Sequence, residues 1–284
     1  DSVFFSRLDP LDFAQEGHRL EFEKPDDPST DLVYRGVVYN EMKGAMSSPT
    51  SQLWQNLTSH LFPTTTYHYN SGGEPDHIVD LSYDELLRFY RHHYHPSNAI
   101  FATYGNIPAH EHHERFEALA LKRFDRQEVE LPVRDEKRMF APIRVEQAYP
   151  VSEGEGTENK THIVMGWLLG HSFDLFENME AQLLSAVLLE NSASPLMRAL
   201  ESTDLGQAPS PMCGLEDSNR EMTFVCGIEG SEPEHARALE ALVESTLRRV
   251  AEEGVSEERL EAILHQLELH QREISGDHFP YGLQ

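Results

Sequence analysis

The sequence predicts an α+β fold of two related domains, each a mainly antiparallel sheet with helices packed on one face. Three observations carry this. Helical apolar periodicity recurs from Val37 to Phe124 and again from Phe176 to Glu273. THIVMGWLLG (161–170) and REMTFVCGIEG (220–230) read as long strands. The short strand PSPMCGL (209–215) faces the second of these across a hairpin turn at Asp217–Asn219.

Taken in order, the first segment is polar and turn-rich, with Pro10 and the run KPDDPSTD from Lys24 to Asp31. LVYRGVVYNEMKGAM then reads as a helix in which Val37, Val38, Glu41, Met42 and Ala45 recur at three-and-four spacing. Ser47–Pro49 interrupts it, and SQLWQNLTSHLF resumes a helical period. TTTYHYNSGGEPDH (64–77) reads as loop, with Gly72 and Gly73 supplying a turn rather than a phosphate cradle, since no P-loop lysine follows. Ser82 and Glu85 have capping-box spacing, and the helix they open ends before Pro96. AIFATYGNI (99–107) reads as a buried strand, and a charged helix follows Pro108.

Residues 126–142 are charged and aperiodic, IRVEQAYP (143–150) alternates like a strand, and VSEGEGTEN (151–159) is flexible in composition. These mark a first domain at 1–135, a linker with one strand at 136–160, and a second domain at 161–284. Within the second domain Met179, Leu183, Val187 and Leu188 share a helix face, Gly254 stops a long helix, and Ser256 caps the last one.

Composition restricts function. Twenty-three Lys and Arg against 49 Asp and Glu give a net charge of −26, which disfavours nucleic acid and anionic membranes as partners. The acid excess serves solubility, and it would also attract basic peptides. No apolar run reaches membrane-span length. Cys213 and Cys226 alone make no disulfide framework, and with no CxxC they are expected as free thiols in a reducing compartment. A bacterial cytoplasm is the expected location, with the mitochondrial matrix as the alternative.

The segments FAQEGHRLEFEKPDDPSTDLVYRGVVYNEMKGAMSSP (13–49) and LFPTTTYHYNSGGEPDHIVDLSYDELLRFYRHHYHPSNA (61–99) resemble the presequence-protease branch of the pitrilysin (insulinase) zinc metallopeptidases. Residues 161–277 are similar in pattern to the non-catalytic domain that follows the catalytic one in that family. The resemblance implies a zinc-dependent endopeptidase acting on unstructured peptides inside a chamber formed by two halves of the chain. It also implies one zinc held by two histidines of an inverted His-x-x-Glu-His helix and by a later glutamate, which corresponds to Glu41. The glutamate inside the inverted motif would be the general base. An additional glutamate of other branches falls at Tyr34 and is not carried over.

None of the 16 histidines stands four residues from another, and only His18 precedes Glu41. The inverted motif is thus expected upstream of residue 1. This chain alone is expected to be inactive and to hold no zinc, its partners being the upstream segment and the C-terminal half of the same polypeptide. A non-catalytic binding or scaffold subunit on the same fold is the alternative.

The remaining clusters read as structural. His92, His93 and His95 suit a helix C-terminus. His110 and His113, with Glu114 and Glu117, suit a solvated face. Tyr83, Phe89, Tyr90 and Tyr94 at helical spacing read as core. No Ser-His-Asp arrangement can be read from spacing, because a triad is defined by geometry.

Overall fold

The computed structural model describes residues 3–128 and 131–273. In chain order the elements are α1 (Pro10–Asp12), β1 (Arg19–Phe22), β2 (Leu32–Arg35), α2 (Val37–Ala45), α3 (Pro49–Leu61), α4 (Pro75–Ile78), α5 (Tyr83–His93) and α6 (Ala109–Leu119). After a long irregular stretch come β3 (Thr161–His171), α7 (Leu175–Leu189), α8 (Pro195–Glu201), β4 (Ala208–Pro209), β5 (Gly214–Glu216), β6 (Glu221–Ser231), α9 (Ala236–Glu253) and α10 (Glu257–Arg272). The described residues divide into two compact units, one within 3–47 and 71–132, the other of 48–70 and 133–273.

In the first unit β1 and β2 form a two-stranded antiparallel sheet with Leu20 opposite Tyr34. The capping box predicted for α5 is present: Ser82 Oγ accepts from Glu85 N, and Glu85 Oε2 accepts from Ser82 N at 2.8 Å. The Tyr83 hydroxyl donates to Leu8 O at 2.5 Å and Tyr90 to Val3 O at 2.7 Å, which ties the first residues to α5. Phe89 and Tyr94, expected in the core, are instead exposed, because α5 turns only its Tyr83 and Tyr90 side inward. A small aromatic cluster of Phe4, Phe101, Phe116 and Phe124 supplies the apolar packing, with ring centroids 4.8–6.0 Å apart.

The second unit is organised by β6. It lies between β3 on one side and β4 and β5 on the other, all antiparallel. The predicted β5–β6 hairpin is present, with Leu215 opposite Phe224. Alternate residues Phe224, Cys226 and Ile228 of β6 meet Leu188 and Leu189 of α7, Leu196 and Leu200 of α8, and Leu239 and Val243 of α9. Period two on the strand and three-to-four on the helices converge in one core. Gly254 ends α9 at φ 71°, a conformation favouring glycine. Ser256 opens α10 through its carbonyl, which accepts from Arg259 N and Leu260 N, rather than through its hydroxyl.

The opposite sheet face is covered from far away in sequence. Gly166 points away from the Met165 and Trp167 side, and a Cβ there would lie 3.0 Å from Leu57 Cδ1 and 3.2 Å from Leu61 Cδ1 of α3. Helix α3 therefore lies on the face opposite the α7–α9 core. This apolar contact is why residues 48–70 group with the second unit, whereas the sequence suggested a contiguous boundary at 135.

Two predicted strands do not form. Residues 99–107 and 143–150 carry no strand, and Ile100 is 98% exposed. A strand requires ladder partners for its backbone groups. Among the described residues neither stretch is paired. Conversely, Leu32–Arg35, expected at the start of a helix, is strand, because β1 supplies its partner.

A polar junction fastens the 133–138 segment to the end of the sheet. Glu136 and Glu221 are both buried. Glu136 N donates to Glu221 Oε2 at 2.6 Å, and Arg138 Nη2 pairs with Glu221 Oε1 at 2.8 Å. Glu136 accepts from Thr64 N at 2.8 Å, Thr64 Oγ1 at 2.6 Å and Lys137 N at 2.7 Å. Burial opposes ionisation of Glu136, yet the Thr64 and backbone donors together outweigh it and lower its pKa below the ordinary 4.5. A lowered folded-state pKa contributes stability that is present above the unfolded value and lost as pH falls through the folded one. Glu136→Gln should therefore melt below wild type at pH 7, with the difference shrinking once pH drops below 4.5. A gap that widens on acidification would contradict this.

Candidate functional site

The sequence singled out one carboxylate, and its placement begins with a glycine. At Gly36, between β2 and α2, a Cβ would lie 2.0 Å from Gly17 O and 2.8 Å from His18 Cα. Only glycine permits this backbone approach. Gly36 O accepts from Asn40 N at 3.0 Å, which starts the helix. His18 Nε2 lies 2.8 Å from Leu81 O, and its ring stands 5.5 Å from Phe13 and 6.5 Å from Tyr34. Tyr34 in turn meets Tyr39 of α2 at 6.0 Å.

One turn into α2, Glu41 is exposed beside Val37, which is 52% exposed, and Val38. Among the described residues its carboxylate has no ion pair and no hydrogen bond. A solvent-facing carboxylate flanked by exposed valines can donate oxygen to a metal. It cannot complete a zinc site. Among the described residues no three His, Cys, Asp or Glu side chains come together as metal ligands. The groups present therefore do not fit zinc by themselves.

The other histidine clusters are dispersed. His95 is buried, accepts from Ser97 N at 3.1 Å and stands edge-on to Phe124 at 5.0 Å, while His92 is exposed. His93 stacks on Phe89 at 4.0 Å. His110 and His113 lie exposed on α6, and His112 stacks on Phe116. Gly73 takes φ 90°, consistent with a turn.

Both cysteines are free. Cys213 immediately precedes β5, and the Gly227 N–H donates to its sulfur at 3.3 Å. Burial raises both thiols, and Cys213 raises Cys226 further. Cys213 borders an open groove of about 350 Å³ with Gln182, Asp217 and Leu267. A thiol held protonated is a poor nucleophile.

Sequence reasoning missed the Glu136–Glu221 junction and its neighbour, where Asp135 pairs with Arg220 Nε at 2.7 Å and His171 Nε2 at 3.1 Å. Arginine and histidine hydrogen bonds lower the Asp135 carboxyl. The only signal was an excess of charge in 134–138, which resembles a linker.

An antiparallel sheet with helices packed on it is the fold this chain shares with M16-like peptidases. Among solved structures, a putative M16-like peptidase from Alicyclobacillus acidocaldarius matches 94% of this chain and 67% of its own, with TM-score 0.53 and 17% identity. A protease from Helicobacter pylori matches 94% and 70%, with TM-score 0.56 and 15% identity.

The chain belongs to the peptidase M16 (pitrilysin or insulinase) family: the model of the "Peptidase M16 inactive domain" matches residues 80–267. It is 38% identical to the mitochondrial presequence protease of Xenopus tropicalis over 280 residues, 97% of this chain and 27% of that protein. It is 35% identical over 287 residues to that of Schizosaccharomyces pombe, and 31% identical over 271 residues to the protein HypA of Clostridium perfringens. The chain thus spans about a quarter of the length of these relatives, 27–28%. Among the described residues no helix is long and apolar enough to cross a membrane.

Proposed function

We propose that this chain is part of a zinc-dependent endopeptidase that degrades unstructured peptides, with residues 1–135 belonging to its catalytic-type domain and 161–284 to a non-catalytic sister domain. In this reading Glu41 is one metal ligand. The histidine ligands and the general base come from polypeptide outside this chain, and the chain alone neither holds zinc nor cleaves peptides. The observation that supports it is Glu41 itself, an exposed carboxylate without a partner among the described residues, on a helix whose seat admits only glycine.

The partners are then other parts of the same polypeptide. The apolar run 100–107 supports this, since Ile100, Tyr104 and Ile107 stand exposed at 98%, 63% and 42%. Such runs mark surfaces that another part of a protein covers. The mitochondrial relatives favour the mitochondrial alternative over a bacterial cytoplasm. A non-catalytic binding subunit is the second reading, favoured by the "inactive domain" description of residues 80–267.

The test is zinc content by atomic emission, together with cleavage of a fluorogenic unstructured peptide by the pure chain. Neither zinc nor cleavage is expected until the rest of the polypeptide is added. Chelator-sensitive cleavage by the chain alone would sink the proposal. A complete polypeptide with neither zinc nor activity would support the binding subunit.

A further inference from the structure

At the end of β3 a histidine ring stands between two carboxylates. His171 Nε2 lies 3.1 Å from Asp135 Oδ2, and Nδ1 lies 3.8 Å from Glu177 Oε2. Nε2 is shut off from water yet has no aligned hydrogen bond. Glu177 Oε2 already accepts from the His171 backbone N–H at 2.7 Å, which keeps that carboxylate at the strand end. A neutral imidazole carries one N–H and serves one acceptor, whereas an imidazolium carries two and serves both.

The other charged groups facing the ring are engaged elsewhere. Arg220 Nε pairs with Asp135 Oδ1 at 2.7 Å, which leaves Oδ2 for the ring. The Arg220 guanidinium also lies 4.9 Å over the Phe173 ring, itself 4.8 Å from that of His171. Glu221, opposite His171 in the β3–β6 register, is taken up by Arg138 and by the Glu136 N–H. Hydrogen bonds from Arg220 and then from His171 hold the Asp135 carboxyl below its ordinary 3.8. Asp135 therefore stays an anion throughout the range in which imidazoles titrate.

We propose that His171 is a pH-sensitive latch: its imidazolium bridges Asp135 and Glu177 and clamps residues 133–138 to the end of β3, and the neutral ring gives up one of these two holds. Stabilisation that needs the imidazolium is full below the imidazole range and is lost as pH rises through it. The Glu136–Glu221 contact is the fixed half of this fastening, and His171 is the adjustable half.

Residue-level hydrogen exchange on the full chain, corrected for the intrinsic chemical rate, tests this at about pH 7.5 and about pH 5.5. The Glu136 and Lys137 amides, both donors within the fastened segment, should gain protection at the lower pH. With the His171 side chain 33% and that of Asp135 50% exposed, the gain should be that of a partly solvated pair, about two- to fivefold. His171→Gln and Asp135→Asn should each abolish the gain. His171→Arg, charged throughout, should show the protected level at both values. Unchanged protection of β6 shows that the unit remains folded in each variant. Equal protection of the wild type at both values, or a gain that survives His171→Gln or Asp135→Asn, would overturn the proposal.

Discussion

Glu41→Gln in the full-length polypeptide is expected to remove zinc and peptidase activity together. The amide keeps the size of the side chain and its place on α2 but lacks the charge that binds a cation. Loss of an outer-shell partner alone weakens metal sites by about 10–100-fold, so loss of a direct ligand should exceed that. Zinc by atomic emission and kcat/KM on an unstructured peptide are the measurements, with Lys43→Ala on the same helix as control. Full zinc occupancy in Glu41→Gln would remove this residue from the ligand set. Retained zinc with reduced activity would assign it a different role.

The second large effect concerns the core. Leu239 is fully buried among Leu196, Ile228 and Val243. Leu239→Ala should destabilise the second unit by about 2–5 kcal/mol, from lost transfer energy and the cavity left behind. Leu269→Ala on α10, at a position 50% exposed, should change stability by less than about 0.5 kcal/mol. Urea unfolding monitored at Trp167 separates the two variants. Equal midpoints would mean that the packed centre lies elsewhere.

Most of the second unit was legible in the sequence because its elements are satisfied locally. β5 and β6 meet across a short turn, α7 and α9 carry their own apolar faces, and Gly254 stops α9. What was not legible depends on distance. That Leu57 and Leu61 cover Gly166 follows from no local pattern, since a helix face does not name its partner. The runs at 99–107 and 143–150 have strand composition, but propensity forms no ladder without a neighbour. Phe89 and Tyr94 show the limit of periodicity: spacing gives a shared stripe but does not say which part of it turns inward.

Of the candidate site the sequence offers one residue, Glu41, through the motif around it, and the structure sets that residue exposed on α2, the helix that follows the close approach of Gly36 to Gly17. The Glu136–Glu221 junction was invisible because 85 residues separate its partners and each acid alone looks like surface charge.

The position of α3 has a consequence for synthesis. Its residues leave the ribosome early, yet the strand they cover follows about a hundred residues later, and such long-range contacts form slowly. Until β3 is made, Leu57 and Leu61 lack the strand they cover. A nascent chain at that stage displays a greasy helix, the type of species that aggregates or engages chaperones. Cutting the gene at residue 133 would make the condition permanent, stripping the later product of its lid and leaving the earlier one with an orphan helix. Halves intended for separate expression should therefore carry residues 48–70 with the second unit, fused ahead of Val133.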